Sequence, residues 1–109
     1  MENRRRFERL TIPGGAGVYS TDLDGGRLGG VAVLGRGGCL LESECDFSKG
    51  QLVSFIIVDE SEKIRCPVRA TVRDVAPGGR IGFEFVELDP DSAVEIGVMI
   101  GKYYSAANS

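Results

Sequence analysis

Four arginines, Arg4, Arg5, Arg6 and Arg9, fall within six positions near the start of the chain, with Phe7 as the aromatic among them. Arginine carries a permanent charge on a planar fork of donors. It can grip phosphate through two hydrogen bonds, reach the O6/N7 edge of guanine, or stack on a base. Arg5 and Arg9 share a side of the chain in either a helical turn or an extended arm, because they are four apart. Such a cluster suits an anionic, guanine-containing ligand, with Phe7 as an anchor. A solvated basic terminus and a nonspecific nucleic-acid arm are the rival readings of the same residues.

The rest of the chain is acidic. Of thirteen basic and sixteen acidic side chains in 109 residues, four and two lie in residues 1–9, leaving nine against fourteen beyond them. The arginines are therefore a local device, and nucleic acid is not expected as a partner; such binding would weaken steeply with salt. There is no histidine, so neither a Ser-His-Asp nor a Cys-His nucleophile can be assembled, and no enzyme is expected. Ser20, Asp22 and Asp24 sit beside Gly25-Gly26 and read as turn residues. Cys39, Cys45 and Cys66 are odd in number and form no C-x-x-C pair, which points to small hydrophobes in a reducing compartment without metal or disulfide. No window holds the roughly 20 apolar residues of a membrane span and no signal-peptide core follows the basic start, so the expected location is cytoplasmic.

The elements that must position these arginines are short strands. Apolar runs at 17–19, 30–34, 38–41, 51–58, 64–75 and 81–88 recur between glycine, proline and aspartate signals, the pattern of an antiparallel sandwich or barrel. Ile64, Cys66, Val68, Ala70 and Val72 alternate with Arg65, Arg69 and Arg73, and Pro67 on the polar side argues for an edge or bulged position. Ala76 to Arg80 closes a hairpin into the alternating strand from Ile81. Asp89 then reads as an N-cap with Pro90 at the first helical position. Gly97 and Gly101 lie four apart on that helix and would allow close packing on the sheet or, alternatively, on a second copy in a homodimer. The sixteen glycines, dense between Gly14 and Gly38, serve positive-φ turns and bulges on one reading and a phosphate cradle on the other.

Arg5-Arg6-Phe7-Glu8-Arg9, six strands and one C-terminal helix together resemble the PilZ domain, a bacterial receptor module for cyclic di-GMP. The resemblance covers essentially the whole chain and implies a six-stranded antiparallel β-barrel with one C-terminal α-helix. It divides the single domain into a flexible arm at 1–12, a barrel at 13–88 and a helix at 89–105. In that family an RxxxR motif on the arm pairs with D/N-x-S-x-x-G further along, and the arm closes over the dinucleotide. Arg5 and Arg9 match the first motif and are expected to contact guanines and phosphates, flanked by Arg4 and Arg6.

The second motif falls on Val33-Leu34-Gly35-Arg36-Gly37-Gly38. Val33 replaces the acid or amide, Gly35 replaces the serine, and Gly38 is retained. Losing two polar contacts costs on the order of 1 kcal/mol each, while Arg36 adds a cation and Gly35 bares backbone N–H groups. "DFSKGQ", Asp46 to Gln51, supplies D-x-S but stands one strand too late, and Ser48-Lys49-Gly50 fits better as a turn. The resemblance thus implies a noncatalytic cyclic di-GMP receptor, without cofactor, that relays nucleotide level to a partner protein. Its site residues are Arg5, Arg9, Arg4, Arg6, Gly35, Arg36 and Gly38. The alternative is a degenerate PilZ adaptor that binds no nucleotide and acts through protein contacts.

Overall fold

A computed structural model describes residues 10–13 and 15–107. Six strands close on themselves: β2 (Val18–Thr21), β3 (Arg27–Leu34), β4 (Gly38–Ser43), β5 (Leu52–Asp59), β6 (Ile64–Ala76) and β7 (Arg80–Glu87). Around the wall they run β3-β2-β5-β6-β7-β4, every pairing is antiparallel, and a β3–β4 pairing completes the ring. Closure leaves few strand edges to pair with other chains. The expected antiparallel six-stranded barrel with a C-terminal helix is the observed fold.

One strand was not expected. Leu10–Thr11 form β1, preceding β2 and pairing with the far half of β3, Leu10 opposite Leu34 and Thr11 opposite Val33. Ile12 follows, 6% exposed, its N–H donating to the Ala32 carbonyl at 2.8 Å. Strand pairing thus includes residues before position 13, and Ile12 buries apolar surface against the core.

Alternation builds the core. Ile64, Cys66, Val68, Ala70 and Val72 of β6 point inward while Arg65, Pro67, Arg69 and Arg73 stay exposed. They meet Leu34, Leu41, Phe55, Ile57, Ile81 and Phe83 inside the barrel, where the Phe55 and Phe83 ring centres lie 5.0 Å apart. β6 pairs with β5 from Ile64 onward but with β7 only from Arg69, so Pro67 has a strand on one side alone. Its carbonyl faces the helix, accepting from Ser92 Oγ at 2.8 Å. Its missing N–H thus costs no ladder bond.

The helix α1 (Pro90–Ala107) starts as its residues dictate, with Asp89 Oδ1 accepting from the Ser92 N–H at 2.8 Å. It runs two residues beyond the expected end at 105. Ser92, Ile96, Met99 and Tyr103, at spacings of four, three and four, are its buried stripe. Gly97 and Gly101 do not serve sheet packing: Gly97 faces the Arg36 guanidinium, and a Cβ on Gly101 would meet no atom of the described residues within 4 Å.

A polar cluster pins the last turns of α1 to the β5–β6 turn. Asp59 is fully buried; its Oδ1 accepts from the Ser61 N–H and hydroxyl, and its Oδ2 accepts from the Tyr103 hydroxyl at 2.9 Å. Lys102 Nζ lies 3.6 Å from the same carboxylate and 3.2 Å from Glu62.

Candidate functional site

The expected site residues divide between what the structure describes and what it does not. Arg4, Arg5, Arg6 and Arg9 lie outside the described residues. Gly35, Arg36 and Gly38 come together in the β3–β4 turn, where the Gly35 N–H donates to the Gly38 carbonyl at 2.9 Å. The Gly37 carbonyl accepts from the Phe85 N–H, tying the turn to β7. Gly38 must be glycine: an added Cβ would collide with the Phe83 carbonyl across the β4–β7 ladder. Gly35 is buried with its N–H already engaged by Gly38, so it does not bare that group as expected, whereas Arg36 is exposed. Arg36 does not reach back over the turn; its Nη1 stands 3.3 Å from where a Cβ on Gly97 would be.

Beside this turn, the β1–β3 register decides the geometry. Leu10, the residue after Arg9, pairs with Leu34, the residue before Gly35. The two sequence motifs are therefore joined to the barrel at neighbouring points on adjacent strands.

A groove of about 670 Å³ continues from there along the outer wall, lined by Thr11, Val33, Arg27, Glu42 and Arg80 among others. This is an ordinary volume for a small-molecule site. Arg27 lies over the Tyr19 ring, 4.3 Å from its centre, while Arg80 pairs with Glu42 at 3.5 Å. The Tyr19 hydroxyl donates to Glu60 at 2.8 Å, and this bond holds its pKa above the usual tyrosine value. Sequence reading missed Arg27, Glu42 and Arg80 as a group. Alternation in β4 signals that Glu42 points outward, but only cross-strand register brings it to Arg80.

Other chemically suggestive residues are accounted for structurally. Burial pushes the thiols of Cys39 and Cys66 up, away from thiolate. Cys45, by contrast, is exposed, not a core hydrophobe as expected. Asp22 and Asp24 do form the β2–β3 turn, with Asp22 Oδ1 accepting from the Asp24 and Gly26 N–H groups. Ser20 is instead a buried strand residue donating to the Gly29 carbonyl. Ser48-Lys49-Gly50 make the turn into β5, closed by the Gln51 N–H on the Ser48 carbonyl.

Lys102 and Ser61 are hydrogen-bonded, but this is not a nucleophile–base pair. Desolvation works against the ammonium, yet its contacts with Tyr103, Glu62 and Asp59 prevail and keep it protonated. Among the described residues no three His, Cys, Asp or Glu side chains converge as a metal site, and no helix is long and apolar enough to cross a membrane.

A six-stranded antiparallel barrel bearing a C-terminal helix, with a glycine turn beside the entering N-terminal chain, defines a class of small domain. The PilZ domain family matches residues 3–101, and the chain belongs to that family. Among solved structures, it is similar to the PilZ domain with c-di-GMP of YcgR from Escherichia coli. The two are 17% identical, with a TM-score of 0.75 over 95% of this chain and 94% of the other. No curated protein matches it significantly.

Proposed function

We propose that this PilZ domain is a noncatalytic receptor for cyclic di-GMP, bound between the arginine motif and the β3–β4 turn. The observation that carries the reading is the β1–β3 register. It joins the chain that follows Arg9 to β3 one residue before Gly35, which supports a site shared by the two motifs. The similar YcgR domain, solved with c-di-GMP, supports the same ligand.

In this reading Arg5 and Arg9 engage guanine edges and phosphates, with Arg4 and Arg6 adding charge around the dianionic ligand. Gly35 and Gly38 shape the β3–β4 turn beside the ligand, and Arg36 turns from Gly97 to a phosphate. No cofactor takes part. Ordering of the arm on the ligand alters the surface offered to a downstream protein. The altered second motif favours an alternative, a nucleotide-free adaptor working through protein contacts, since Val33 sets an aliphatic side chain where the family pattern has a polar one.

Isothermal titration separates the two. Micromolar or tighter binding of cyclic di-GMP, not reproduced by GTP and abolished in an Arg5→Ala/Arg9→Ala variant, is the expected result. Absence of heat at high ligand concentration overturns the receptor reading and leaves the adaptor.

A further inference from the structure

Tyr19 of β2, Gly30 of β3, Glu42 of β4 and Arg80 of β7 form one row across the barrel wall, each opposite the next. Gly30 is its bare floor: a Cβ there would meet no atom of the described residues within 4 Å. With strands about 4.8 Å apart, the backbones of Tyr19 and Glu42 stand roughly 10 Å from each other across it. That interval admits a planar base between the two walls. One wall is the Arg27 guanidinium stacked on Tyr19. The other is Glu42, whose ion-pair partner among the described residues is Arg80 at 3.5 Å, with both side chains more than half exposed. A pair so exposed is weakly held and can exchange partners.

The chemistry of the second wall is selective. A carboxylate at neutral pH only accepts hydrogen bonds. Guanine presents its N1–H and N2–H₂ donors side by side, matching the two oxygens of a carboxylate, whereas adenine presents an acceptor at N1. Beside phosphates a bare carboxylate is otherwise a liability, because like charges repel. Glu42 and Val33 line the same groove.

We propose that Glu42 reads the guanine edge, supplying from β4 the acceptor that the second motif lacks at Val33, while Arg27 and Arg80 hold the anionic backbone of the ligand. The inference rests on the cyclic di-GMP reading and adds to it three residues that lie outside both motifs. On binding, Glu42 exchanges Arg80 for guanine, and Arg80 turns to a phosphate.

The test is titration of the full chain and of Glu42→Ala, Glu42→Gln and Arg27→Ala variants with cyclic di-GMP and cyclic di-AMP, each variant checked by circular dichroism. Glu42→Ala is expected to weaken cyclic di-GMP at least tenfold without weakening cyclic di-AMP, and Glu42→Gln to weaken it less. Arg27→Ala is expected to weaken whatever cyclic dinucleotide binds, without regard to base. Unchanged or tighter cyclic di-GMP binding by Glu42→Ala overturns the inference, since it would show the carboxylate to be idle or merely repulsive. That outcome leaves the receptor reading intact. Failure of the unmodified chain to bind cyclic di-GMP overturns both.

Discussion

At position 38 a methyl group has nowhere to go, because the obstacle is the Phe83 carbonyl of the facing strand and not a side chain that can swing away. Gly38→Ala is therefore expected to destabilise the fold by about 1–3 kcal/mol, as overpacking does. The same turn carries half of the proposed site, so this variant should lose stability and ligand affinity together; urea unfolding and titration check each. Cysteine reactivity is also set residue by residue. Cys45 is exposed while Cys39 and Cys66 are buried with thiols pushed up. The native chain should take up one equivalent of a thiol-alkylating reagent quickly and the unfolded chain three, as counted by mass spectrometry. Composition alone suggested three equivalent small hydrophobes; exposure of Cys45 follows from its place just beyond β4.

The contact between α1 and the β5–β6 turn depends on a buried carboxylate. Burial pushes Asp59 up, but the hydrogen bonds from Ser61 and Tyr103, the Lys102 ammonium and the Glu62 amide outweigh it and hold the carboxyl below its ordinary range. A carboxyl whose folded pKa is depressed contributes stability in full above its unfolded pKa, near 3.9, and loses that contribution as pH falls through the folded value. Asp59→Asn should therefore be less stable than the parent at pH 7, with a gap that narrows below about pH 3.9. Denaturant unfolding across that range measures it. Tyr103→Phe removes one donor from the buried carboxylate and should cost about 1–3 kcal/mol. At this scale the sequence was partly legible. The Asp89 cap, the alternation of β6 and the Ala76 to Arg80 hairpin rest on neighbours in sequence and were visible as such. Asp59 lies just beyond the apolar run at 51–58, and no local pattern reports its role because its partner Tyr103 lies 44 residues away.

For the molecule as a whole, the barrel with its helix was readable from strand spacing and the change of periodicity after Leu88, and the site only in outline. β1 escaped notice because two residues carry no periodicity of their own; the pairing exists only because β3 outruns β2 and leaves Val33 and Leu34 an open edge. The Tyr19, Gly30, Glu42 and Arg80 row was hidden for a related reason. Its alignment depends on bulges in the β2–β3 and β3–β4 ladders that no local pattern announces. Both features matter because they place Leu10, the second motif and the groove on one continuous stretch of wall. Whether cyclic di-GMP binds there is tested most directly by an amide NMR titration of the full chain with the dinucleotide. Saturable shifts at Leu10 to Ile12 and Leu34 to Gly38, extending to Gly30 and Glu42, are the predicted result. Shifts absent at saturating ligand, or confined to the Asp59 and Tyr103 side of the helix, would contradict it.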